Sequence, residues 1–90
     1  MALKWPNKDP GDLLDYGIDW SRRLDTDTIA ISVWTVSAGL TMTTTTHTAR
    51  TATVWLSGGV AGTTYTIVNT ITTALGRIID QSVTLDVETN

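Results

Sequence analysis

The chain has 90 residues, 41% hydrophobic and 17% charged, which gives room for one domain and enough apolar content to form its core. Its net charge of −3 and pI near 4.7 argue against nucleic acid as a partner, because phosphate-backbone binding relies on Lys and Arg displacing condensed counterions. With no cysteine, neither a disulfide framework nor a thiolate metal site is available.

In chain order, the opening MALKWPNKDPGDLLDY carries both prolines and no alternation. It has no apolar h-region, and nowhere do about eighteen apolar residues run together, so neither a classical signal nor a membrane span is expected. Residues 1–12 are predicted to form an N-terminal arm ahead of a domain at 13–90. Leu3 and Trp5 are apolar amid turn chemistry, and with Pro6 and Pro10 they are the arm's candidate contacts with another chain. Asp9 is placed to cap a short turn that has Pro10 at its first position, so that Leu13 and Leu14 face the domain.

Beyond the arm, strand formers dominate: threonine supplies about a fifth of the chain and alternates with Val, Ile, Trp and Tyr, which suit a pleated, half-buried surface. Strands are predicted near 13–20, 27–36, 40–48, 51–57, 63–73 and 78–88. In DTIAISVWTV, Ile29, Ile31 and Val33 fall on one face and Ala30, Ser32 and Trp34 on the other. In RTATVWLSG, Ala52, Val54 and Leu56 oppose Thr51, Thr53, Trp55 and Ser57. In TYTIVNTIT, Tyr65, Ile67 and Ile71 share a face that Asn69 interrupts. In the last run Ile79, Val83, Leu85 and Val87 oppose Asp80, Ser82, Thr84, Asp86 and Glu88. Short strands with glycine turns at close spacing predict an all-β, immunoglobulin-like sandwich of about six to seven antiparallel strands.

The run WLSGGVAGTTY poses a choice between a phosphate loop and a turn. A Walker-type loop needs G-x-x-x-x-G-K-[ST] followed by a helix; here Gly58 and Gly62 are too close, no lysine follows, and a strand comes next. The run therefore reads as a hairpin loop that binds no nucleotide.

Little else carries chemistry. His47 is the only histidine and has no acid or cysteine beside it, so no catalytic set assembles and no enzyme activity is expected. Asp19, Asp25 and Asp27 are oxygen donors for a hard cation such as Ca²⁺, but LDTDT has no glycine-bearing ligand loop and reads more simply as a polar turn. Of the four tryptophans, Trp20, Trp34 and Trp55 are read first as core, then as protein contacts, then as a sugar-stacking platform.

The stretches KDPGDLLDYGIDWSRRL, DTIAISVW and VWLSGGVAGTTYTIVNTITTALGR together resemble a family of small tailed-phage virion proteins, the fibre–tail adaptor or neck-associated proteins, over about residues 4–88. The most specific elements are Asp15-Tyr16, Ile18-Asp19-Trp20-Ser21, the Trp55-Leu56-Ser57-Gly58-Gly59 turn with Gly62 and Tyr65, and Gly76-Arg77. The resemblance implies an immunoglobulin-like virion module, made in the host cytoplasm, that bridges a tail or portal-vertex ring to fibres or neighbouring tail and neck proteins. It implies a symmetric homo-oligomeric ring, other virion proteins as partners, and no catalysis, cofactor, nucleic acid or membrane. A capsid decoration protein shares these sequence features, and a carbohydrate-binding module shares the aromatics.

Where such a module meets its partners is suggested by its edges. The runs at 40–48 and 69–73 are rich in threonine and almost without the charged guards that soluble proteins place on edge strands. Thr43, Thr44 and Thr46, with His47 at the margin, are therefore candidate interface residues.

Overall fold

The computed structural model describes residues 3–89. Its strands are β1 (Leu3–Lys4), β2 (Leu14–Asp19), β3 (Ile29–Val36), β4 (Leu40–His47), β5 (Thr51–Gly58), β6 (Thr63–Thr73) and β7 (Ile78–Val87), with one helical turn, α1 (Ser21–Leu24), between β2 and β3. They form a four-stranded sheet in the order β1-β7-β6-β3 and a three-stranded sheet in the order β2-β5-β4. All pairs are antiparallel except β1 with β7, which is parallel.

This is an immunoglobulin-like sandwich, and two of its hallmarks are present without the disulfide. Trp34 on β3 is buried between the sheets. Tyr65, at the start of β6, accepts a hydrogen bond through its hydroxyl from the Val60 amide at 2.9 Å, which pins the corner where the chain passes from β5 to β6.

The core follows the alternation. Ala52, Val54 and Leu56 of β5 face Ile67 and Ile71 of β6 and Val83, Leu85 and Val87 of β7, all fully buried. Asn69, also fully buried, is satisfied on every side: its Oδ1 accepts from Trp20 Nε1 at 2.9 Å, and its Nδ2 donates to Ser32 Oγ and the Val33 carbonyl, each at 3.0 Å.

Three expectations change. In β3 the register on β6 shifts between Ile29 and Ile31. That bulge puts Ile29 and Trp34 inside together and turns Ile31 and Val33 outward, against strict alternation, because an extra residue reverses the faces beyond it. The SGGVAG run is not a hairpin: β5 belongs to the second sheet and β6 to the first, so the loop crosses between layers. Its glycines are still required by geometry, since Gly59 has φ 98° and a Cβ there would lie 2.8 Å from Val87 Cγ2. Third, the run at 69–73 lies in β6, between β7 and β3, and is no edge.

The N-terminal segment is part of the first sheet. Leu3 and Lys4 pair with Val83 and Thr84, the Trp5 amide donates to the Thr84 carbonyl, and Lys8 bridges to Val87. Trp5 is buried with its ring stacked on Tyr16, centroids 4.7 Å apart, and tilted against Trp34 at 5.9 Å. Lys8 is fully buried, its Nζ donating to the carbonyls of Gly58 at 2.8 Å and Asp9 at 2.9 Å. Asp9 does cap a turn, accepting from the Gly11 amide at 2.9 Å. Leu13 and Leu14, expected to face the domain, are both exposed, Leu14 on the core-facing side of β2 at its start.

Candidate functional site

A sandwich has four sheet edges, and each presents backbone N–H and C=O groups that invite pairing unless protected. Here the edges differ. The β1 end of the first sheet is closed by the N-terminal segment and carries charge: Lys4 Nζ meets Asp86 Oδ2 at 3.1 Å. The Thr64 hydroxyl, donating to Asp86 Oδ1 at 2.6 Å, and then Lys4 hold that carboxyl below its usual range. The β2 edge of the second sheet carries the exposed acids Asp15 and Asp19. Asp19 is held below its usual range by the side chain and amide of Ser21, the amide donating at 2.9 Å.

The remaining two edges, β3 and β4, carry no such guard. They follow each other in the chain, and residues 28–49 contain no Asp, Glu, Lys or Arg. Past Leu40 every residue of β4 is exposed, on both faces of the strand. Thr44 lies opposite Trp55 and Thr46 opposite Thr53 on the outer face, while Met42, Thr45 and His47 lie level with the core residues Leu56, Val54 and Ala52 yet stay open to solvent. Thr43, at a bulge, donates through its hydroxyl to the Trp55 carbonyl at 3.3 Å. On β3 the outward Ile31 and Val33 are 55% and 53% exposed.

The structure thus brings Thr43, Thr44, Thr46 and His47 together on one edge, as the sequence suggests, and adds Ile31, Val33 and Met42, which alternation could not supply. The sequence does carry one signal for β3: apolar residues on both of its nominal faces, Ile29, Ile31 and Val33 against Trp34, which strict alternation cannot bury at once. Among the N-terminal candidates, Pro6 is exposed and Pro10 half-buried. Trp5 is a correction: its ring lies in the core of its own domain and is not available to another chain. The side chain of Leu3 lies outside the described part of the structure.

Of the tryptophans, Trp5, Trp20 and Trp34 are core and Trp55 is partly exposed on the outer face of β5. The carboxylates at 19–27 do different jobs. Asp27 is buried, with Oδ1 accepting from the Thr28 and Leu75 amides at 2.8 and 3.2 Å, so it ties the start of β3 to the β6–β7 turn. Burial alone would raise its carboxyl; the Thr73 hydroxyl, these two amides and Arg77, 4.0 Å away, outweigh that and hold it below the usual range. Among the described residues no three His, Asp or Glu come together as metal ligands, and no helix is long and apolar enough to cross a membrane.

A family model, described as podophage GP4 fiber-tail adaptor protein gp77, matches residues 8–86. The chain belongs to this family. No curated protein matches it. The match spans β2 to β7 except the final Val87, so both unguarded strands lie inside it. A tail or fibre adaptor is a component of the virion that interacts with other tail or fibre proteins.

Proposed function

We propose that the chain is a non-catalytic structural component of the virion that bridges the tail or portal-vertex ring to fibres or neighbouring tail and neck proteins, and that it does so as a symmetric homo-oligomeric ring. The observation that carries this reading is the uncharged side made by β3 and β4 in a member of a fibre–tail adaptor family. A free edge offers main-chain hydrogen bonds, and exposed Ile31, Val33 and Met42 offer apolar area beside it, the two ingredients of recognition by strand addition. Thr43, Thr44, Thr46 and His47 are the proposed contacts on β4. Pro6, on the outer surface of the N-terminal segment, and the neighbouring Leu3 and Pro10 are proposed to meet a second partner.

The test is to count copies of the chain against the major capsid protein in purified particles and to locate them by labelling. An adaptor sits at one vertex in few copies. Copies spread over the whole capsid surface would overturn the adaptor reading in favour of decoration.

A further inference from the structure

The second sheet is open at both ends, with β4 at one and β2 at the other. Both strands pair antiparallel with β5, so they run parallel to each other. Their registers also set them level: Trp55 lies between Asp15 and Thr44, and Thr53 between Gly17 and Thr46. Two edges of like direction at the same level are what head-to-tail addition of identical copies needs. A closed cyclic assembly has rotation without rise, so rotation about an axis along these strands carries the β2 of one copy alongside the β4 of the next in that same register.

From this we infer that copies of the chain join head to tail through β4 of one and β2 of the next, continuing the second sheet across the assembly. The inference rests on the reading of β4 as an interface and names its occupant as the β2 edge of a second copy.

The chemistry of the two edges favours this pair over either edge meeting itself. Pairing β2 with β2 sets the carboxylates of Asp15 and Asp19 against like charges, and pairing β4 with β4 leaves β2 open. In the mixed pair, Asp15, an acceptor only, falls beside the Thr44 hydroxyl, a donor, on the outer face. On the inner face Leu14 falls beside Met42, side chains that are 36% and 43% exposed in the single chain. The absence of Asp and Glu on β4 then has a reason: no like charge faces the acidic neighbour.

The natural chain has no cysteine, so engineered thiols report alone. Within one chain Asp15 and Thr44 are separated by β5, about 10 Å at two strand spacings, beyond the roughly 7 Å between Cα atoms that a disulfide spans. Any bond between cysteines at these positions therefore joins two chains. The variants are Asp15→Cys, Thr44→Cys and the double variant, with Gly17→Cys plus Thr46→Cys as a second double. Each is oxidised as purified chain at rising concentration and in assembled particles, then run on non-reducing gels. A ladder of multimers from either double variant, with none from Thr44→Cys alone, is expected. Dimers from Thr44→Cys alone would show a two-fold β4 contact and overturn the inference. So would the absence of chain-to-chain bonds from both double variants in both settings. In that case a Thr44→Lys chain that fails to incorporate keeps β4 as a contact with a different protein, whereas one that incorporates normally removes that reading as well.

Discussion

Trp20 Nε1 donates to Asn69 Oδ1 at 2.9 Å with both side chains fully buried, so the helical turn after β2 is fastened to the middle strand of the opposite sheet by one polar contact inside the core. Asn69 also donates to Ser32 and Val33 across the β6–β3 pair, so one amide joins three elements. Asn69→Leu keeps the branched side-chain shape and removes all three of these hydrogen bonds. It is expected to destabilise the fold by about 2 to 4 kcal/mol, since buried polar groups left unpaired cost roughly 1 to 3 kcal/mol each. Urea unfolding followed by Trp fluorescence measures it, and a loss under about 0.5 kcal/mol would mean that the freed groups find other partners.

Trp5 decides the standing of the N-terminal segment. Its ring fills the space between Tyr16 and Trp34, and the strand ahead of it closes one edge of the first sheet. Trp5→Ala should cost about 3 to 5 kcal/mol, as truncation of a buried aromatic does, and removal of residues 1–8 should leave a chain without a cooperative unfolding transition. A truncated chain with an unchanged melting temperature would restore the segment to a detachable arm.

Most of the fold was legible because period-two patterning is a local signal. The strands at 51–57, 63–73 and 78–88 each show one apolar face, and the structure buries those faces. The features that escaped are the ones set by non-local geometry. A bulge in β3 adds one residue and leaves no mark in composition, so strict alternation groups Ile31 and Val33 with the buried Ile29. The glycine run predicts a hairpin because turn chemistry is the same whether the next strand joins the same sheet or the facing one. Local pattern gives Trp5 no partner, since Tyr16 and Trp34 lie eleven or more positions away in the chain. The uncharged character of 40–48 marks it in the sequence as an unguarded edge, and the topology places β4 at one.

Acid should weaken the domain through Asp27. Its folded carboxyl lies below the unfolded value, so the stability it contributes is full above the unfolded pKa and is lost as pH falls toward and through the folded one. Asp27→Asn keeps an oxygen for the Thr28 and Leu75 amides and removes the titration. The variant should show a shallower loss of stability between about pH 5 and pH 2, the range where an ordinary aspartate protonates and a lowered one follows. Parallel stability curves for the two proteins across that range would remove Asp27 as the acid-sensitive group.

The proposed contact edge makes the sharpest separation between folding and assembly. Thr44 and Thr46 are exposed, stand on the outer face of β4 beside Trp55 and Thr53, and take no part in the core. Glutamate at both positions can reach water from there, so the isolated chain should keep its stability to within about 0.5 kcal/mol per substitution, while at position 44 it would set a like charge beside Asp15 of the next copy. In the particle the same two charges would sit at an uncharged strand edge, the device by which soluble proteins prevent strand addition. Incorporation of the doubly substituted chain should therefore fall sharply while its melting temperature stays put. Comparing particle-bound with free protein after infection supplies the readout, and the control is Asp80→Lys on the outer face of β7, away from both open edges, which should incorporate as the natural chain does. Normal incorporation of the Thr44→Glu, Thr46→Glu chain would place β4 in solvent within the assembled virion and move the contact to another surface.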